Sequence, residues 1–220
     1  MSASLPVDAA QVTENLERIR ERIRRAGGVD VAVLPVTKTF PVAACEAALA
    51  AGCTAVGENY AQEVVAKLAG HEGRVPVHFI GRLQSNKVRQ LAPFVTVYET
   101  VDRTSLADEI ARRAPGARVL LQVATEDEPG KGGCAPEEVR ALFDHALSVG
   151  LAVEGLMTVG PTDGGPEAAR VGFRAVRALC TSLGLGVCSM GMSGDLEVAV
   201  QEGSTQVRIG SALFGARPPR

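Results

Sequence analysis

The stretch Val31-Ala-Val-Leu-Pro-Val-Thr-Lys38 is a short, nearly continuous apolar run that stops on a lysine. Apolar runs of this length without polar alternation mark strands buried on both faces, as in parallel sheets. Upstream, Val12, Leu16, Ile19 and Ile23 recur at helical spacing between Asp8 and Arg25, and Gly27-Gly28 ends that pattern. Downstream, further apolar runs at 55–57, 77–80, 96–100, 119–124, 152–157, 187–190 and 206–210 are each followed by a helical pattern, which with 31–37 makes eight strands. Strands alternating with helices imply parallel pairing through right-handed crossovers, and eight such units most naturally close into a (β/α)₈ TIM barrel. An open, doubly wound sheet is the alternative. The expected organisation is one domain over 1–220, with an extra N-terminal helix over 8–28 and the barrel over 29–215. Pro35 cannot donate a ladder hydrogen bond, so the first strand is expected to carry a local irregularity.

The 220 residues suffice for one large core, and no Pro/Ser-rich linker, low-complexity tract or block of like charge divides them. Both signs of charge are interspersed and the formal net charge is -2, which leaves no electrostatic footprint for nucleic acid or an anionic membrane. No apolar stretch approaches the roughly 20 residues of a membrane span. The start, Met1-Ser-Ala-Ser-Leu-Pro-Val-Asp8, lacks a basic segment before an apolar core, so a cytoplasmic protein is expected. Cys45, Cys53, Cys134, Cys180 and Cys188 are scattered and form no Cys-x-x-Cys pair, which argues against a disulfide framework or a zinc site. No large apolar face is evident, and a monomer is expected.

In a barrel of this kind the chemistry gathers at the carboxyl ends of the strands. That rule selects Lys38, Glu58-Asn59-Tyr60, His78-Phe-Ile-Gly81, Met157-Thr158, Ser189-Met-Gly-Met-Ser-Gly-Asp195 and Arg208-Ile-Gly-Ser211. A lysine at the end of an inner strand loses hydration, which disfavours its charged form and moves it toward a neutral amine able to attack a carbonyl; the bland alternative is a lysine that snorkels into solvent. Gly191 and Gly210 let backbone N–H groups approach an anion, and the hydroxyls of Ser193 and Ser211 add donors. Ser193 is read as the N-cap of a helix over 194–202. The same residues also serve as ordinary turn glycines and caps. Asp195 would compete with a phosphate for that helix start, so it is expected to point away or to hold the loop. Asn59 with Gln62 has the look of a capping box, as an alternative to contact with a ligand. His78 is either a satisfied structural group or a member of the site. Lys87 and Arg89 are expected on a solvated face.

Together, Val36-Thr-Lys-Thr-Phe-Pro41, Gly57-Glu-Asn-Tyr-Ala-Gln-Glu63, His78-Phe-Ile-Gly-Arg-Leu-Gln-Ser-Asn-Lys87, Gly155-Leu-Met157, Ser189-Met-Gly-Met-Ser193 and Val207-Arg-Ile-Gly-Ser-Ala-Leu-Phe-Gly215 resemble the pyridoxal phosphate homeostasis family, the YggS or PROSC type. That family's fold is the barrel of the alanine racemase N-terminal domain. The motifs occur in the family's order along nearly the whole chain. The resemblance implies that Lys38 forms a Schiff base with pyridoxal 5'-phosphate, that Ser193, Gly210 and Ser211 hold its phosphate, and that Arg208 lies beside the pyridine nitrogen. Asn59, His78 and Met192 complete the cofactor-binding set it implies. The sequence departs from the family at Arg82, where other members often have His or Pro; the Gly-rich loop 126–134 keeps a family-like Lys131 and Gly133.

The resemblance also bears on catalysis. Pyridoxal phosphate is the stronger electron sink when an acidic partner keeps its ring nitrogen protonated. An arginine, permanently charged and only a donor, favours the unprotonated nitrogen. Related racemases take a tyrosine base from an additional β-domain for which this chain offers no segment, and Tyr98 falls inside a strand, so Tyr60 or His78 would have to substitute. A protein of vitamin B6 homeostasis that carries pyridoxal phosphate on Lys38 without dedicated catalysis is therefore expected, with apo-enzymes as candidate recipients. The alternatives are a low-activity amino-acid racemase and a scaffold whose cofactor site is vestigial.

Overall fold

The chain opens with α1 (Ala9–Arg25), whose N-cap Asp8 accepts hydrogen bonds from the N–H groups of Ala10 and Gln11 at 2.9 and 3.3 Å. Eight strands follow in a computed structural model that describes residues 7–126, 128 and 130–215. They are β1 (Ala32–Pro35), β2 (Val56–Glu58), β3 (Val77–Phe79), β4 (Val95–Val101), β5 (Arg118–Gln122), β6 (Ala152–Met157), β7 (Val187–Ser189) and β8 (Gln206–Ile209). Between and after them run α2 (Val42–Ala50), α3 (Ala61–Leu68), α4 (Val88–Leu91), α5 (Thr104–Arg113), α6 (Val139–Ser148), α7 (Arg170–Ser182), α8 (Leu196–Gln201) and α9 (Ser211–Phe214). Residues 1–6, loop positions 127 and 129, and residues 216–220 lie outside the described residues.

All neighbouring strands pair in parallel, in the order β1-β8-β7-β6-β5-β4-β3-β2. A single bridge between Val36 and Gly57 brings the two ends of the sheet together. The sheet is thus the nearly closed barrel and not the open alternative. The thinness of that seam has its cause in Pro35. Val36 N–H bonds Ile209 C=O on β8 and Thr37 N–H bonds Gly57 C=O on β2. By alternation the donor that Pro35 lacks is the one that would have faced β2.

Strand alternation divides the core into two layers. Inside the barrel lie Val97, Leu120 and Met157. Between the barrel and its helices lies the larger cluster, which includes Phe79, Tyr98, Leu106, Ile110, Leu121 and Phe173. The helix α1 buries Val12, Leu16, Ile19 and Ile23 on the outer faces of β8 and α8, against Val207, Ile209, Leu196 and Val200. All five expected cysteines are buried and unbridged. Among the described residues no helix is long and apolar enough to cross a membrane, and no group of three or more His, Cys, Asp or Glu could hold a metal ion.

Candidate functional site

At the carboxyl end of β1 the chain passes from Val36 through Thr37 into a turn at Lys38 and Thr39, where Lys38 is half-buried. Thr37 points to the outer layer, because its Oγ1 donates to Glu58 at 2.6 Å and receives the Cys45 Sγ contact at 3.6 Å. Alternation then carries position 38 to the barrel side. The turn is unusual at its next residue: Thr39, β-branched, has φ +70°. Such a conformation costs on the order of 1–3 kcal/mol and persists only where its surroundings impose it.

β8 lies beside β1, with Leu34 in register with Arg208 and Pro35 with Ile209. Arg208 is buried in the barrel and its guanidinium is spoken for on one side. Nη1 donates to the carbonyl and hydroxyl of Ser189, both at 2.8 Å, and Nη2 to the Thr158 carbonyl at 2.6 Å. Burial pulls the Arg208 pKa below its ordinary value, opposed chiefly by the Glu99 carboxylate. Glu99 is the hub below it. Its carboxylate accepts from Ser189 Oγ at 2.8 Å and Gln206 Nε2 at 2.7 Å, and lies 2.6 Å from His78 Nδ1. Desolvation alone would raise its pKa, but His78, Arg208 and Ser189 outweigh it and hold Glu99 below the ordinary carboxylate value.

The two glycine-serine turns follow β7 and β8. Gly191 has φ +95°, and a Cβ there would stand 2.4 Å from the Ala199 Cβ, so only glycine lets this loop lie so close to α8. Ser193 is half-buried and Ser211 exposed, while Gly210 is buried. The helix after Ser193 starts later than expected, at Leu196 with Asp195 as its N-cap residue, so Ser193 does not cap it. Asp195 instead accepts the Met192 N–H at 2.5 Å and holds the loop. Ser211 and Ala212 open α9, where N–H groups have no intrahelical acceptor. The extra N-terminal helix braces both turns. Arg22 donates to the Ser193 carbonyl at 3.2 Å while pairing with Glu197, and Asn15 donates to the Leu213 carbonyl at 2.9 Å.

Asn59 lies just past β2 and lines a cavity of about 640 Å³ at the carboxyl ends of β2–β4, together with Tyr60, Arg82, Lys87, Asp102 and Arg103. Its capping-box reading is not met: the N-cap position of α3 is Tyr60, without a side-chain bond. Lys87 is half-buried in that cavity wall and not on the open face expected for it, whereas Arg89 is exposed. Met192 is exposed, bordering a smaller cavity with Pro161, Thr162 and Asp195. His78 departs from the expectation most clearly. Its ring lies against Glu99 and lines a cavity of about 490 Å³ that includes Thr54, Pro76, Thr96 and Gln206, at the amino ends of the strands. It belongs to the polar interior and not to the mouth, because His78 is in register with Val97, an inward residue near the start of β4.

The loop between β5 and α6 is tied across the mouth. Lys131 Nζ donates to the Gly160 carbonyl at 2.7 Å and pairs with Glu128, which also accepts from Thr162. Gly133 has φ +131°, with the Ala124 N–H only 2.5 Å from where a Cβ would stand. The strand-end rule reached Glu58 but neither Glu99 nor the Glu63–Lys67 pair that joins Glu58 behind Lys38. The i, i+4 spacing of Glu63 and Lys67 was the only signal of the latter.

The residues present suit a phosphorylated aldehyde. They combine a strand-end amine, a buried donor-only guanidinium, and two turns with hydroxyls and N–H groups suited to a dianion. The buried hydroxyl of Thr39 has no partner among the described residues, which leaves a donor beside Lys38 to be satisfied. Comparison with known proteins agrees with this class of site. The model of the alanine racemase N-terminal domain matches residues 7–218. A pyridoxal phosphate homeostasis protein of Pseudomonas aeruginosa is 41% identical over 94% of this chain and 96% of its own length, and one of Aquifex aeolicus is 41% identical over 92% and 95%. The structure of PipY from Synechococcus elongatus with PLP bound is 31% identical and superposes with a TM-score of 0.80, covering 93% of this chain and all of that one. The chain belongs to the pyridoxal phosphate homeostasis family.

Proposed function

We propose that this protein binds pyridoxal 5'-phosphate covalently at Lys38 and serves vitamin B6 homeostasis by holding the cofactor, not by turning over a substrate. The observation that carries the reading is the register of β1 with β8, which sets the Lys38 turn beside Arg208, Gly210 and Ser211 at one end of the barrel. When bound, the cofactor supplies an aldehyde that a neutral amine captures with loss of water. Lys38 provides that amine. Ser193, Ser211 and the first N–H groups of α9 receive the phosphate, and Arg82, Lys87 and Arg103 against Asp102 give the adjoining cavity a basic balance that favours an anion. Arg208, anchored through Ser189 and Thr158, offers only donors to a ring nitrogen and so disfavours its protonation.

The same geometry argues against efficient racemisation. Tyr98 is sealed in the outer layer, its hydroxyl without a partner among the described residues and pushed by burial to a pKa of about 12. His78 faces the other end of the barrel. Tyr60, which lines the cavity beside Asn59, is the remaining candidate for a second base, and it sustains the racemase as the second reading. Delivery of the cofactor to apo-enzymes, a monomeric state and a cytoplasmic location complete the proposal.

The test is an absorption spectrum of the protein mixed with pyridoxal phosphate, then borohydride reduction and peptide mass spectrometry. A reduced adduct on Lys38 that disappears in Lys38→Ala supports the reading, and an adduct retained in Lys38→Ala overturns it. Incorporation of deuterium from solvent at the α-carbon of an added amino acid would favour the racemase.

A further inference from the structure

Behind the Lys38 turn lies a cluster of charge that the proposed function does not use. Lys67 of α3 is 6% exposed at its side chain, and its Nζ donates to Glu58 at 2.6 Å and to the Thr37 carbonyl at 2.8 Å. It also pairs with Glu63 at 3.0 Å. Glu63 in turn accepts the Thr39 N–H in a short hydrogen bond. The backbone on both sides of Lys38 is therefore gripped by one turn of one helix: the carbonyl before it by Lys67, the N–H after it by Glu63. The grip is continued by the wholly buried Glu58, which takes the Thr37 hydroxyl at 2.6 Å.

Two features say that this is a device and not incidental packing. Burying Lys67 and Glu58 is costly, and a hydrophobic pair would fill the same space without that cost. Desolvation pushes the Glu58 carboxyl above its ordinary pKa, with Lys67 only partly offsetting it. Burial would likewise lower Lys67, but Glu58 and Glu63 overcome it and keep the ammonium charged. Second, Thr39 is held at φ +70°, a conformation a β-branched residue adopts only under constraint, and the constraint in contact with it is Glu63.

We infer that Glu63 and Lys67 are positioning residues for the capture of the cofactor aldehyde: by fixing Thr37 and Thr39 they aim the intervening Lys38 amine into the barrel mouth. The inference rests on the proposed attachment at Lys38. Neither residue needs to touch the cofactor, so their loss acts on the rate and geometry of attachment.

The experiment measures the rate of chromophore formation when apo-protein is mixed with pyridoxal phosphate, and the circular dichroism of the bound chromophore. Glu63→Ala and Lys67→Met are each expected to slow capture by about tenfold, equivalent to about 1.4 kcal/mol of barrier, and to weaken the induced signal. Glu63→Gln, which retains an oxygen for the Thr39 N–H, is expected to stay within about twofold of the wild type. Wild-type rates and spectra in both Glu63→Ala and Lys67→Met overturn the inference while leaving attachment at Lys38 intact. A wild-type protein that acquires no adduct at Lys38 overturns the proposed function and this inference with it. Should the variants not fold, amide hydrogen exchange of the wild type decides: strong protection of Thr39 N–H is expected, and exchange at the rate of an open turn refutes the grip.

Discussion

Replacing Glu99 with glutamine tests the polar interior most directly. Glu99 is fully buried and receives Ser189 Oγ, Gln206 Nε2 and the His78 ring within 2.6–2.8 Å. A glutamine of the same shape keeps one acceptor but turns the other end into a donor aimed at Ser189 Oγ. That oxygen already accepts from Arg208 Nη1 at 2.8 Å and Gln206 Nε2 at 2.9 Å, so the serine proton loses its acceptor. One hydrogen bond to a charged group is worth about 1.5–3 kcal/mol. Leaving the Arg208 guanidinium without its nearby negative charge brings the expected loss to about 3–5 kcal/mol. Urea unfolding at pH 7 should show it as a lower midpoint with an unchanged slope. The pH dependence carries a second signature. The folded-state pKa of Glu99 lies below the ordinary carboxylate value, so its contribution is complete above that value and disappears as the pH falls through the folded pKa. The gap between wild type and Glu99→Gln should therefore narrow in acid, below about pH 4. A Glu99→Gln protein within about 1 kcal/mol of wild type at pH 7 would refute the reasoning, since that is the scatter of ordinary substitutions.

Further outcomes follow from other parts of the molecule. Replacing Ser193 and Ser211 together with alanine should weaken cofactor retention, each lost donor to the phosphate being worth about 1.5–3 kcal/mol, as read by dialysis against apo-protein. Arg22→Met should loosen the same turn from behind, because Arg22 holds the Ser193 carbonyl; equilibrium binding should weaken modestly, and unaltered binding would show that the brace is not needed. Asp8→Ala removes the side-chain cap of α1 and should cost about 0.5–2 kcal/mol in thermal unfolding.

Much of the fold was legible in the linear pattern. Eight short apolar runs separated by helical periodicity are what a parallel barrel imposes on a chain, since strands covered on both faces need no polar alternation. Each run corresponds to an observed strand, with ends shifted by a residue or two where turns take over. A local irregularity at Pro35 was legible too, because a missing donor is a property of the residue itself, whereas its place on the seam with β2 came from the fold. The amine at the end of β1 and the two glycine-serine turns were also visible, since the strand-end rule depends only on order along the chain.

What the sequence could not disclose is everything set by residues meeting across the barrel. His78 and Glu99 are 21 positions apart, and Glu99 and Gln206 107 apart; only closure of the sheet brings them to one hub and turns His78 away from the mouth. Ser193 and Asp195 are close in sequence, yet which of them begins α8 was decided by the path of the loop after Gly191. The grip of Lys67 and Glu63 on the Lys38 turn likewise arises when α3 folds back over β1, setting side chains against backbone atoms some 24 to 30 residues away. Strand order and local chemistry are written along the chain because they depend on near neighbours. The electrostatic environment of each site residue was decided by tertiary structure, because desolvation and charge pairing depend on what closes over it.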